Sequence, residues 1–329
     1  MTRPRRGGRT ADLAVIIVST NEAHWLRSCL PTVFEHAGGA RLDVIVVDND
    51  STDGTRELVE SEFPGARVIT CRNRGFSHAN NRGLMAATSP YVLFLNPDTE
   101  IVEGTFADLL ARLAERPGVG LVGVKQLTAD GVLYPTIRRF PTLVRMFFEA
   151  IAGERLPWRA SWLGERELDP AAYERETPCD WTSGSFMLAR REAIESAGYL
   201  DERFFIYSEE TDLCLRIVRS GWQIYHFPYL SIIHHAGKGG TSPRMASQEA
   251  FARRQYLAKH HGPVHTAAGV GLLALRYALR AVAGGRDKEI NQARRAASRQ
   301  AIATLFGLEA PPFGPPPEQA VPLVGDEPR

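Results

Sequence analysis

The residues best able to do chemistry in this 329-residue chain are carboxylates and histidines placed after apolar runs. Residues 91–98 read YVLFLNPD, and this composition, ending abruptly at an acid, fits a buried parallel strand that delivers Asp98 to the carboxyl edge of a sheet. A carboxylate there holds a hard divalent cation together with substrate phosphates, or it caps the turn formed by Pro97, Asp98 and Thr99; both readings are open. Residues 42–47 end the same way, in Asp48, Asn49, Asp50, Ser51, Thr52, Asp53 and Gly54, so two acidic loops meet at one rim, the edge where α/β sheets bind ligands. Glu209, Glu210 and Asp212 crowd three carboxylates where a helical pattern begins. In a first turn they favour the helix dipole; crowded together, they raise one another's proton affinity and make a general base. His234 and His235 follow an apolar pair and precede Gly237, Gly239 and Gly240, which suits either metal ligation or ordinary surface hydrogen bonding.

The elements that must position these groups alternate. Strands at 13–18, 42–47, 67–70 and from Tyr91 are separated by helices at about 25–36, 55–63 and 77–87, with a further helix at about 104–116. Such alternation predicts βαβ units and a Rossmann-like, mostly parallel central sheet flanked by helices. Residues 118–123, GVGLVG, match GxGxxG literally, but a helix ends before them instead of starting after them; the segment reads as helix stop, then strand. Residues 138–177 show no clean pattern, although LVRMFFEAI at 143–151 has helical spacing suited to core packing or to a surface for a lipid chain. The apolar stretch 264–285 is interrupted by His265, Arg276 and Arg280. A spanning helix needs roughly twenty predominantly apolar residues, so this one suits an interfacial or docked helix.

With 44% hydrophobic and 23% charged residues and a net charge of +1, the chain has the balance of a soluble globular enzyme and no global field to draw nucleic acid. Its four cysteines are widely spaced, without CxxC, and read as free thiols of a reducing cytosol.

One ordered set of motifs is more specific. Val46-Val47-Asp48-Asn49 with Ser51, Asp53 and Gly54 is followed by Asn73-Arg74-Gly75-Phe76 with Asn80-Asn81, and then by Asn96-Pro97-Asp98. Next come Trp181-Thr182-Ser183-Gly184, Asp201-Glu202-Arg203-Phe204-Phe205, Glu209-Glu210-Thr211-Asp212 and His234. The set resembles the inverting family 2 glycosyltransferases of GT-A fold, bacterial rhamnosyltransferases above all, over about residues 14–262. The resemblance implies that Asp48 contacts the nucleobase of a nucleoside-diphosphate sugar with Ser19, Thr20 and Arg74 nearby, and that Asn96 faces the ribose or sugar. It implies that Asp98 binds Mg2+ or Mn2+ with His234 or His235 as a further ligand. Trp181, Ser183 and Gly184 would shape the sugar pockets, Asn81 and Asp212 would join the substrate contacts, and Glu210 would be the base with Glu209 as the fallback. Glu210 stands where the family usually has Asp, and Ser19-Thr20-Asn21 lacks the common aromatic contact to the nucleobase.

The implied domain plan is a basic tail at 1–11 and a catalytic domain at 12–262, with a nucleotide-sugar half to about 124. A C-terminal helical extension at 263–308, docked on the domain or resting on a membrane, and a Pro-rich tail at 309–329 follow. The implied acceptor is a saccharide or polyprenyl-linked saccharide of the cell envelope, reached from the cytoplasmic face of the plasma membrane. Two rivals are a sugar-phosphate nucleotidyltransferase and a degenerate glycan- or nucleotide-binding module. The first normally carries a Gly-rich, Arg-containing loop after its first strand, which residues 19–26 lack.

Overall fold

The computed structural model describes residues 10–151, 161–235, 242–283 and 288–313. Most of both expected tails, and Gly237, Gly239 and Gly240, lie outside the described residues.

The first half alternates as expected: β1 (Leu13–Ser19), α1 (Ala23–Glu35), β2 (Leu42–Asn49), α2 (Thr55–Glu62), β3 (Ala66–Cys71), α3 (Phe76–Ala86) and β4 (Tyr91–Leu95). Then come β5 (Thr99–Glu103), α4 (Phe106–Ala114), β6 (Val119–Leu127), β7 (Leu133–Tyr134), α5 (Leu143–Ala150), β8 (Thr177–Pro178), β9 (Phe186–Arg190), α6 (Arg191–Ala197), α7 (Glu209–Arg219) and β10 (Gln223–His234). Three helices end the described chain: α8 (Pro243–His260), α9 (Pro263–Val282) and α10 (Lys288–Leu305).

The strands form one sheet in the order β3-β2-β1-β4-β9-β6-β10-β5, with β7 and β8 attached at its side. Pairing is parallel from β3 to β4 and between β6 and β10; β9 and β5 run the other way. Both faces are covered, which is why β1 is a continuous apolar run. Leu13, Val15 and Ile17 pack with α1, α2 and α4, whereas Ala14, Ile16 and Val18 pack with α3, α6 and α7. The GxGxxG segment enters β6 as a strand. A side chain at Gly120 would collide with Ala193 and Trp222, and one at Gly123 with Thr182, so these glycines serve close packing.

α5, α8, α9 and α10 share a separate core built on Met146, Leu257, Leu273, Tyr277 and Leu305. α9 is docked along its Gly269, Leu273 and Tyr277 stripe, while Val264, Leu275, Leu279 and Val282 face outward. Among the described residues no helix is long and apolar enough to cross a membrane.

Candidate active site

Parallel strands end in polar loops on one rim, and those after β1 and β2 are stapled together. Asn49 Nδ2 donates to Thr20 Oγ1 and to Asn73 Oδ1, both at 3.1 Å, and Thr52 N–H donates to Asn21 Oδ1 at 2.7 Å. Asn21 and Asp50 both take left-handed backbone (φ 58° and 68°), a conformation that asparagine and aspartate tolerate best among residues with a side chain. Within this frame Asp48 is nearly buried, its Oδ1 accepting from Ser51 N–H at 3.0 Å. Ser19 is fully buried with an unpartnered Oγ, and Arg74 is exposed on the following loop.

Asp98 stands two residues beyond Asn96, whose N–H is held by Ser185 C=O at 3.0 Å. Antiparallel pairing of β10 with β5 sets His234 opposite Thr99, which brings His234 Nε2 to 3.2 Å from Asp98 Oδ1. Asn96 Nδ2 is 3.5 Å from the same nitrogen. Extended chain turns successive side chains to opposite sides. His235 accordingly leaves the pair: its Nε2 lies 2.9 Å from Glu100 Oε1 and its ring stacks on Trp25 at 4.9 Å. A carboxylate oxygen and an imidazole nitrogen form a donor set that suits a divalent cation, with coordination left for substrate oxygens. Among the described residues no group of three or more His, Cys, Asp or Glu gathers as a ready-made metal cage. Glu22, which sequence reading missed, lies beside this pair. Burial and the neighbouring Asp98 charge push its carboxyl up to about 7, against a bond from Thr20 N–H. The only signal for it was its place directly after β1.

The third carboxylate group arrives on a helix. Tyr207 and Ser208 both have positive φ (73° and 65°), and this strained turn launches α7 so that Glu209 and Glu210 occupy its first turn. Each keeps an Oε2 with no hydrogen-bond partner. Burial raises the proton affinity of both. For Glu209 the Glu210 charge raises it further, whereas for Glu210 its own N–H and the Arg138 charge pull it partly back. Glu210 lines a cavity of about 350 Å³ with Trp181, Arg138 and Tyr207. Gly184 abuts it: a Cβ there would sit 3.7 Å from Glu210 Cβ. From Gly184 the chain passes to Ser185, which holds Asn96, so Glu210 and Asp98 share one end of the sheet. Ser183 Oγ bonds Ser185 Oγ at 2.9 Å, and Trp181 Nε1–H donates to Arg139 C=O at 3.0 Å, which fixes the pocket wall.

The structure corrects three expectations. Asn81 is buried, its amide spent on Leu200 C=O and Glu202 Oε1, so it ties α3 to the 200–202 turn. Asp212 is fully buried against α8, bonded by His260 Nε2 (2.7 Å), Lys259 Nζ (2.5 Å) and Arg216 Nε (2.8 Å). Burial alone would raise its proton affinity, but these partners hold it below the ordinary aspartate value. His235 is the third, turned from Asp98 as described.

The family model for glycosyl transferase family 2 matches residues 14–196. The N-acetylglucosaminyl-diphospho-decaprenol L-rhamnosyltransferase of Mycobacterium tuberculosis (strain ATCC 25618 / H37Rv) is 33% identical over 236 residues, covering 67% of this chain and 72% of the relative. The rhamnosyltransferase WbbL of Escherichia coli (strain K12) is 25% identical over 233 residues, covering 68% and 83%. In fold, the mannosyltransferase PcManGT from Pyrobaculum calidifontis, solved with GDP-Man and Mn2+, superposes with a TM-score of 0.56 at 19% identity, covering 92% of this chain and 89% of that one.

Proposed function

The chain belongs to glycosyl transferase family 2, and from that premise we infer that it is a metal-dependent, inverting rhamnosyltransferase acting on a lipid-linked saccharide of the cell envelope. The observation that carries this reading is the shared rim. The Asp98–His234 pair lies where a nucleoside diphosphate would arrive, and Glu210 stands at the same end of the sheet with a carboxylate oxygen that no group among the described residues bonds. Asp48 and the stapled loops after β1 and β2 receive the nucleotide. Glu210 takes the proton of an acceptor hydroxyl, that oxygen attacks the anomeric carbon from the face opposite the diphosphate, and configuration inverts in one displacement. Asp98 and His234 would hold Mg2+ or Mn2+, which neutralises charge on the leaving diphosphate. For the donor, the two rhamnosyltransferases among the relatives support a nucleoside-diphosphate rhamnose, read here as the deoxythymidine compound.

The acceptor reading adds a membrane. α5 packs on α9, and the exposed apolar residues Val144 and Phe147 of α5 and Leu275 and Leu279 of α9 are read as one face with Ile151, just past α5, and Trp162, whose C=O accepts from Arg145 Nε. α5 also supplies Met146 to the Glu210 cavity, so a polyprenyl chain entering along this face would lead its sugar to the base. On this reading the enzyme works peripherally on the cytoplasmic face of the membrane, which the exposed apolar residues of α5 and α9 support.

Incubating the full chain with deoxythymidine-diphosphate rhamnose, Mn2+ and a short-chain prenyl-diphospho-N-acetylglucosamine tests the reading. The expected product carries one added rhamnose with inverted anomeric configuration by NMR, and EDTA stops its formation. Retained configuration, or equal transfer under EDTA, would refute the mechanism. Binding to anionic vesicles in flotation, lost in a Leu275→Glu/Leu279→Glu variant, tests the membrane contact.

A further inference from the structure

The Glu210 cavity holds arginines in two different states. Arg253 is neutralised by Glu149 at 2.9 Å and Glu165 at 2.8 Å, and Arg276 by Glu149 at 3.3 Å and Glu249 at 3.2 Å. These pairs join α5, α8 and α9 into the cavity floor. Arg138 has no such partner. Among the described residues no carboxylate forms an ion pair with it, its Nε is buried without a hydrogen bond, and its Nη2 reaches only the Tyr134 hydroxyl at 3.4 Å. Its guanidinium lies over the Trp181 ring at 5.3 Å and the Tyr134 ring at 5.8 Å. Its backbone is pinned by N–H to Trp181 C=O at 3.1 Å and by its own C=O accepting from Asp180 N–H at 2.9 Å. The guanidinium is half-buried at the cavity and no carboxylate of the described residues bonds it, so its planar fork is open to phosphate oxygens, which it matches in a two-point bond. Aromatic faces hold the fork in place, so little ordering remains to be done on binding.

We propose that Arg138 is the receptor for a phosphate of the acceptor, the phosphate borne on the anomeric carbon of the sugar whose hydroxyl Glu210 deprotonates. The ligand class is a saccharide 1-diphosphate. The proposal rests on the transferase reading above and specifies what that acceptor must carry. The cavity, about 350 Å³, is of the size that takes a small ligand, with the base on one wall and Arg138 on another. Leaving Arg138 without a protein carboxylate keeps its charge available to the substrate and keeps Glu210 out of an ion pair that would quench it as a base.

The test is calorimetric titration of the full-length protein with citronellyl-diphospho-N-acetylglucosamine, with the uncharged octyl β-N-acetylglucosaminide, and with deoxythymidine diphosphate plus Mn2+. Wild type is expected to prefer the diphosphate compound over the uncharged glycoside by at least about ten-fold, the scale of a charge-assisted bond pair. Arg138→Gln is expected to collapse that ratio towards one, and Arg138→Lys, which keeps the charge but not the fork, to restore part of it. A ratio that survives Arg138→Gln, an equal loss for both glycosides, or a loss confined to the nucleotide would overturn the proposal. Transfer assayed on the same samples separates the two readings: absent transfer with the ratio behaving as expected would sink the activity reading and leave the anion site standing.

Discussion

The two walls of the proposed site handle negative charge in opposite ways. On one wall carboxylates sit at strand ends and are met by partners: Asp48 takes Ser51 N–H, and Asp98 faces His234 at 3.2 Å. On the other wall Glu209 and Glu210 begin a helix, Glu210 lining the cavity and Glu209 buried beside it, and each keeps an unpartnered oxygen. A carboxylate at a strand end beside an imidazole suits a cation; one whose proton affinity is raised by burial, with an oxygen left unpartnered, suits a base. The same carboxyl group is thus set in two different environments.

The strongest way to break the comparison is Glu210→Gln, which should lower turnover by roughly 10³-fold, within the range for a lost general base, while nucleotide binding measured by calorimetry persists. A larger loss in Glu209→Gln would move the base by one residue. Next, Asp212→Ala should cost about 3 kcal/mol of stability in urea unfolding, because it strands Lys259, His260 and Arg216 around a buried vacancy. An unchanged midpoint would return Asp212 to the substrate contacts. Asp98→Ala should weaken Mn2+-dependent nucleotide binding by roughly 100-fold, the effect of truncating one partner of a charge pair, with metal-free binding little altered.

A smaller effect separates the walls by pH. The base works only when ionised, and burial raises Glu210's proton affinity, so kcat/KM should fall on acidification at a pH above the ordinary glutamate value of about 4.3. An acid limb at that ordinary value would show that Glu210 is solvated during turnover. Least of all should His235→Ala matter: less than about two-fold in nucleotide affinity, against roughly ten-fold for His234→Ala. Equal effects would restore His235 as a ligand.

Much of this was legible in local sequence, and the failures have identifiable causes. β9 went unread because a short strand buried on both faces shows no alternation and looks like any apolar run. Asp212 could have been separated from Glu210 by helical geometry alone, since residues two apart on a helix face nearly opposite ways. One looks into the cavity and the other into α8. Arg138 left no local trace, because nothing in residues 138–177 has a clean period and its surroundings come from Trp181 and Tyr134.

The sequence by itself determined the alternation of strands and helices, the acidic endings of β2 and β4, and the family. Each of these is written in runs of neighbouring residues, since a strand covered on both faces must be apolar throughout and must turn polar where it leaves the core. Only the tertiary structure decided which histidine meets Asp98, which carboxylate faces the cavity and which arginine goes unpaired. Those choices depend on the register of β10 against β5 and on how α7 lies against α8, contacts between segments far apart in the chain whose alignment no local pattern encodes.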